Sequence, residues 1–306
     1  MAGCVAGRAA QYVTDFMRYA APTTVDEALE LVQSEPDSRV FAGATDLIPQ
    51  IRAGRPEPAL LIDLKRIERL VAVSHNNGTW TVGAATPTSA LTANTEFSSM
   101  FPGLSEASGL IGSDQIQNRS SWGGNLCNAS PAADSVPALI VNDATAVIAS
   151  NSGERTASVA EVVTGPGQTS LSDGEFIIEF QLDDPPANSG DAYLRLIPRT
   201  EMDIAVVGAA VQLTMDGDTV ASARVALGAV APTIVRVPDA EAALVGSRLN
   251  NGTLDDGTLA AVAAAASADA SPIDDKRGTV QYRRQVAGVL AKRAAQTAAQ
   301  RAQGAS

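Results

Sequence analysis

Up to about residue 185 the chain alternates short apolar runs with turn-rich polar stretches, and then its texture changes. Val25, Ala28, Leu29 and Val32 recur at i, i+3, i+4, i+7, the spacing of one helix face. Thr24 precedes them as an N-cap, with Glu27 three residues on, which predicts a capping box. Arg39-Val40-Phe41-Ala42 reads as a short strand running into a loop of small residues, and Leu60 to Leu64 has the length of a buried strand. Thr79 to Gly83 alternates, and Asn76-Asn77-Gly78 before it predicts a hairpin turn. Thr86-Pro87-Thr88 opens a short helix through Leu91, and a helical stretch over 104–119 breaks near Gly109 and Gly112. Ala132 to Val141 predicts a helix, and Ala144 to Ala149 and Phe176 to Leu182 predict strands.

Asp183-Asp184-Pro185-Pro186-Ala187-Asn188-Ser189-Gly190 is the strongest linker signal, acidic and doubly prolyl. Beyond it, Ile204 to Met215 and Val220 to Val230 read as long strands joined across Asp216-Gly217-Asp218. Alanine-rich helices follow at about 238–246, 256–268 and 278–302. Residues 1–15 carry no pattern and read as an extension. No internal repeat is visible.

Composition narrows the chemistry. The chain has 306 residues, 45% of them hydrophobic and 18% charged, which fits a globular protein of two domains or one large fold. Aromatics are only 4%, so the cores draw on Ala, Val, Leu and Ile. The net charge of −12 disfavours a nucleic-acid partner. A small phosphate ligand stays open, because backbone N–H groups bind it without adding charge. The two cysteines, Cys4 and Cys127, are too few for an iron–sulfur cluster, which needs about four thiolates. They read as small shielded thiols, and the single histidine, His75, as a surface residue of a turn. No run of ~18 apolar residues occurs, which predicts a soluble, cytoplasmic chain without a transmembrane segment.

Two loops carry candidate chemistry. Ala42-Gly43-Ala44-Thr45-Asp46 follows a strand; its small residues let N–H groups approach an anion, with a threonine hydroxyl beside them. Ser121-Trp122-Gly123-Gly124-Asn125 sits in a long polar stretch that continues through Asn128 to Asp134. Taken alone, the first loop fits a tight structural turn better than a ligand site, and the second fits either. Neither forms a P-loop or a complete Gly-x-Gly-x-x-Gly.

Together the two stretches resemble the FAD-binding medium subunit of the molybdenum hydroxylases, the family of xanthine dehydrogenase and aerobic carbon monoxide dehydrogenase. Ala42 to Leu47 matches the family's Ala-Gly-Gly-Thr/His-Asp/Ser-Leu loop. Gln115-Ile116-Gln117-Asn118-Arg119-Ser120-Ser121-Trp122-Gly123-Gly124-Asn125, then Asn128 to Asp134, matches its second motif. The likeness runs from about Met17 to Arg293 and takes in Gly83-Ala84-Ala85-Thr86, Thr169 to Glu175, Tyr193-Leu194-Arg195, Met202 to Ala205 and Tyr282-Arg283-Arg284.

The resemblance implies an α+β fold: a two-lobed α/β FAD-binding domain over residues 16–187, divided near 65–70, then a three-stranded antiparallel sheet with helices over 188–306. It implies that Ala42, Gly43, Ala44, Thr45, Asp46 and Leu47 wrap the FAD pyrophosphate from one side, and Ser121, Trp122, Gly123, Gly124 and Asn125 from the other. Asp134 would accept from a ribityl or ribose hydroxyl, Ile111 and Leu171 would pack on the ring faces, and Arg195 would stand near the flavin. Plain core packing remains the alternative for Ile111 and Leu171, and helix capping for Asp134. Partners would be a large subunit with the molybdopterin-type molybdenum cofactor and a small subunit with two [2Fe–2S] clusters, as a dimer of heterotrimers. No catalytic triad or metal site is implied in this chain, and the large subunit would set the substrate. A stand-alone flavin oxidase or reductase, or a module that has lost FAD, are the other readings.

Several departures from the family pattern matter. Ala44 replaces a glycine, which requires a negative φ there. Ser121 replaces threonine and keeps the hydroxyl. Trp122 replaces a small residue and would add bulk beside the pyrophosphate. Ile204 stands where some relatives have a tyrosine beside the flavin.

Overall fold

The computed structural model describes residues 17–304; the N-terminal extension, with Cys4, lies outside the described residues. Strand β1 (Arg18–Ala20) leads through helix α1 (Val25–Ser34) to β2 (Ser38–Phe41), then through the first small-residue loop and α2 (Leu47–Arg52) to β3 (Leu60–Asp63). These strands pair in parallel in the order β1-β3-β2. Central β3 is buried along its whole length, as a parallel strand covered on both faces requires. Thr24 caps α1, accepting from the Glu27 N–H at 3.1 Å. The Glu27 carboxylate bonds the Thr23 N–H at 2.7 Å rather than that of Thr24, so the box closes one residue earlier than predicted.

A second, antiparallel sheet follows. Helix α3 (Glu68–Val71) precedes the hairpin of β4 (Val73–Asn76) and β5 (Thr79–Gly83). Asn77 and Gly78 between them both have positive φ, +52° and +80°, as a type I′ turn demands. Six short helices come next: α4 (Thr88–Ala93), α5 (Thr95–Met100), α6 (Pro102–Gly109), α7 (Asp114–Gln117), α8 (Trp122–Cys127) and α9 (Ser135–Val141). Strands β6 (Thr145–Ser150) and β7 (Gly153–Ser158), helix α10 (Val159–Val162), the small pair β8 (Val163–Gly165) and β9 (Gln168–Thr169), and β10 (Phe176–Asp183) complete it. The order is β4-β5-β10-β6-β7. Central β10 divides two cores: Phe176 and Ile178 face α1 and β3, while Ile177, Phe180 and Leu182 face the six helices.

After the linker come β11 (Ser189–Leu196), β12 (Val207–Asp216), β13 (Thr219–Gly228), β14 (Val235–Arg236), α11 (Pro238–Leu244), the pair β15 (Leu249–Asn250) and β16 (Thr253–Leu254), α12 (Asp256–Asp269) and α13 (Val280–Ala302). The sheet order is β11-β12-β13-β14, so the three expected strands gain a two-residue fourth. β12 begins at Val207 rather than Ile204. Met202 has φ +54° and Asp203 bonds the Ile204 N–H at 2.8 Å, which holds 202–204 as a loop. Ala287, Ala291, Ala294, Ala295, Ala298 and Ala299 of α13 are buried, so the alanine-rich composition serves close helix–sheet packing.

Two polar contacts join the parts. Asp191 of β11 is buried and accepts from the Gly103 and Leu104 N–H groups at the start of α6, at 2.8 and 3.0 Å. Its carboxyl is raised above the usual range by burial. His75 lies on β4 rather than in the turn. Its ring stacks on Trp80, centroids 4.5 Å apart, and meets Glu96 at 3.0 Å and the linker's Asp184 at 2.9 Å.

The bond to Glu96, with Asp184 adding to it, raises the His75 pKa above its ordinary 6.5. A raised pKa means that the folded chain binds the proton more tightly. This stabilisation is full below pH 6.5 and is lost as pH rises through the folded value. Denaturation midpoints of the wild type are expected to fall across that window more steeply than those of His75→Gln. Equal slopes in the two proteins would contradict the assignment.

Candidate cofactor site

The first loop leaves the C-terminal end of β2 in the parallel sheet. Gly43 passes so close to the second loop that a Cβ there would lie 1.8 Å from the Arg119 carbonyl oxygen. Ala44 has φ +57°, against the expectation of a negative value. An alanine is thus held in the left-handed region, at ~1–2 kcal/mol. Among the described residues, none of the N–H groups from Gly43 to Leu47 has a protein acceptor. Consecutive N–H groups in such a turn form a concave anion site. Lys65 supports this turn: its Nζ donates to the Ala42 carbonyl at 2.5 Å and to Asp63 at 2.6 Å. Sequence reasoning missed it, although a lysine just after β3 faces the end of β2 through the Phe41–Asp63 pairing.

The second loop is tied down more fully than its composition suggests. Ser121 caps α8, its hydroxyl accepting from the Gly124 N–H at 3.1 Å, and its carbonyl accepts from the Asn125 N–H at 2.9 Å. The Gly123 N–H donates to the Ala84 carbonyl at 3.0 Å, an approach that a Cβ would block at 2.5 Å. Ser121 and Trp122 keep N–H groups without an acceptor among the described residues. The Ser121 hydroxyl keeps its proton to donate. The Asn125 side-chain oxygen accepts from the Ser135 hydroxyl at 2.7 Å and so holds the start of α9. Trp122 adds no bulk beside the loop, contrary to expectation. Its indole is buried against Phe97 and Phe180, with Nε1 donating to Ser108 at 2.9 Å. As the first residue of α8 it points into the core. Cys127, expected to be shielded, is exposed.

The two loops meet at two points. Gly43 touches Arg119 before α8, and Gln50 Nε2 donates to the Asn128 side-chain oxygen at 2.9 Å after it. Six residues of α8 lie between, about 9 Å of helix. The contacts therefore bracket the stretch between the two loops, a candidate slot along which the unpartnered N–H groups lie.

Further along, Asp134 Oδ1 accepts from the Tyr193 hydroxyl at 2.8 Å and Oδ2 from Arg195 Nη1 at 2.7 Å. It caps nothing through its side chain, so the capping alternative does not hold. Burial outweighs both partners and pushes its carboxyl up to about 6. Arg195 is buried, and its Nε has no partner among the described residues. Such an orphaned donor fits a ligand acceptor. Tyr193 was legible only as part of a motif, not as the partner of Asp134. Leu171 is half-buried against the middle core, and Ile111 is half-buried in the turn after α6. Ile204 is exposed and lines a cavity of about 340 Å³ with Pro131, Ala132, Pro166 and Ile273.

Two loops with unpartnered N–H groups on an α+β frame, with a buried guanidinium further along, fit a protein that binds a phosphate-bearing cofactor. Residues 14–183 match the FAD binding domain in molybdopterin dehydrogenase, and 192–298 the CO dehydrogenase flavoprotein C-terminal domain. The carbon monoxide dehydrogenase medium chain of Afipia carboxidovorans is 32% identical over 286 residues, 93% of this chain and 97% of that one. The xanthine dehydrogenase FAD-binding subunit of Escherichia coli O157:H7 is 27% identical over 281 residues, 91% and 94% of the two chains. Carbon monoxide dehydrogenase from Hydrogenophaga pseudoflava, solved without the Mo-pyranopterin moiety, superposes with a TM-score of 0.87 at 32% identity, covering 92% of this chain and 96% of that one. The chain belongs to the FAD-binding medium subunits of the molybdenum hydroxylases, the family of xanthine and carbon monoxide dehydrogenases. Its cofactor is FAD.

Gly43→Ala must push the Arg119 carbonyl away and widen the slot. The purified variant is expected to bind FAD at least tenfold more weakly in a fluorescence titration, with its circular dichroism unchanged. Ala44→Gly is expected to keep wild-type affinity, because it relieves the positive φ. Wild-type affinity in Gly43→Ala would contradict the geometry.

Proposed function

We propose that this chain takes electrons from [2Fe–2S] clusters of a small partner subunit and delivers them through FAD to an external acceptor. A large partner subunit holds the molybdenum cofactor and oxidises the substrate. The observation that carries this reading is the bracketed slot with its row of unpartnered N–H groups, on a chain that aligns over most of its length with medium subunits. When bound, FAD supplies the link between one-electron arrival and two-electron delivery.

The chain's own groups bind and orient. The N–H groups of Gly43 to Leu47, with those of Ser121 and Trp122 and the Ser121 hydroxyl, hold the pyrophosphate. Gly123 lets the second loop pack on Ala84, Gly124 keeps the Ser121 hydroxyl uncrowded, and Asn125 braces the loop through Ser135. Arg195 Nε donates toward the flavin, and Asp134 accepts a cofactor hydroxyl on a remaining lone pair. Ile111 and Leu171 pack on the rings and exclude water. In this reading the FAD-binding domain runs to about residue 187, with its two lobes meeting near 65–70, and the region from 188 carries the sheet that presents Arg195. The assembly is a dimer of heterotrimers in the cytoplasm. The acidic surface suits protein partners rather than nucleic acid, and no helix among the described residues is long and apolar enough to cross a membrane.

Stripping FAD from the purified complex tests the route. Substrate is expected to reduce the iron–sulfur clusters as before, seen by their absorbance, while reduction of the acceptor stops and returns on adding FAD. Acceptor reduction at an unchanged rate without FAD, or substrate turnover by this chain alone, would overturn it.

A further inference from the structure

Gln50 sits one turn into α2 and lies outside every motif that identifies the chain. Its side-chain amide nevertheless reaches a residue 78 positions away, donating to Asn128 at 2.9 Å where α8 ends. Arg55 donates to the other side of the same amide, to Oε1, which fixes its orientation. Both Gln50 and Asn128 are half-buried. Among the described residues no other hydrogen bond joins the segment 43–52 to 119–130. The opposite end of the slot is held only by the van der Waals contact of Gly43 on Arg119, which resists closing but not opening. One end of the slot therefore sets the nearest approach of the loops, and the other end must set the farthest.

We propose that Gln50 is a positioning residue for FAD, its bond to Asn128 holding the two loops at the separation that lets both rows of N–H groups reach one pyrophosphate. This rests on the pyrophosphate lying between the loops. The bond touches neither the flavin nor the route of electrons, so it acts on binding and not on the redox chemistry. Without it α2 is free to swing on the strand end that Lys65 anchors, and the N–H groups of Thr45 to Leu47 separate from those of Ser121 and Trp122. The loss is of preorganisation, which weakens a complex without removing any direct contact.

FAD affinity, measured by flavin fluorescence on the full chain as it purifies with its partners, tests this alongside the melting temperature of the FAD-free protein. Gln50→Ala and Asn128→Ala are each expected to weaken FAD about fivefold, the effect of one hydrogen bond. The double variant is expected to lose the same fivefold and no more, because the two side chains act through one bond. Gln50→Glu restores affinity to within about twofold, since a carboxylate can accept from the turned-over Asn128 amide and pair with Arg55. The FAD-free melting temperature stays that of the wild type throughout. Unchanged affinity in Gln50→Ala, with or without a fall in melting temperature, overturns the proposal, as does a double variant about twenty-five-fold weaker. A wild type that binds no FAD would defeat the pyrophosphate placement itself; a wild type that binds while Gln50→Ala binds equally defeats only the role of Gln50.

Discussion

The arrangement of the two loops depends on one steric constraint: the Gly43 Cα lies against the Arg119 carbonyl, where no side chain fits. That contact places the end of a parallel strand beside the entry to α8. From it follow the shared slot, the outward N–H groups of 43–47 and the register that lets Gln50 meet Asn128. Close backbone approach recurs where Gly123 donates to Ala84, so the second loop is pinned to the antiparallel sheet as firmly as the first is to the parallel one. An anion site made of backbone groups needs this rigidity, because N–H groups cannot reach out as side chains do.

Beyond the loops, charge is arranged with equal economy. Asp134 and Arg195 neutralise each other in a buried setting, and Tyr193 supplies the second bond that a buried carboxylate needs. The guanidinium still keeps one donor free. Because Arg195 and Tyr193 stand on β11 and Asp134 at the start of α9, this cluster also ties the C-terminal sheet to the second loop. Asp191, on the same strand, ties it to α6. The sheet is thus fastened on both sides of the helices it covers.

Much of this was legible in the sequence. The Thr24 cap, the Asn77-Gly78 turn, the breaks at Gly109 and Gly112 and the alanine-rich helices all rest on local chemistry, and each appears within a residue or two of its predicted place. What escaped was set by tertiary contact. Asn125, expected beside the cofactor, also braces Ser135 through its side-chain oxygen, a contact the sequence does not show. Trp122 looked like an intrusion and instead fills the core, because only the frame of α8 decides which way its first residue points. Ala44 takes a positive φ that composition argues against, held there by the β2 exit and the α2 bonds around it. Lys65 and Gln50 carry no motif signal of their own, and Tyr193 none that points to Asp134, since each matters through a partner far along the chain.

Amide hydrogen exchange with and without FAD addresses the site most directly, because it reads the N–H groups themselves. Added FAD is expected to slow exchange sharply across Gly43 to Leu47 and at Ser121 and Trp122, while Gly123, Gly124 and Asn125, already bonded within the protein, change little. Bound FAD with exchange at 43–47 unchanged would place the pyrophosphate elsewhere and contradict the two-loop site.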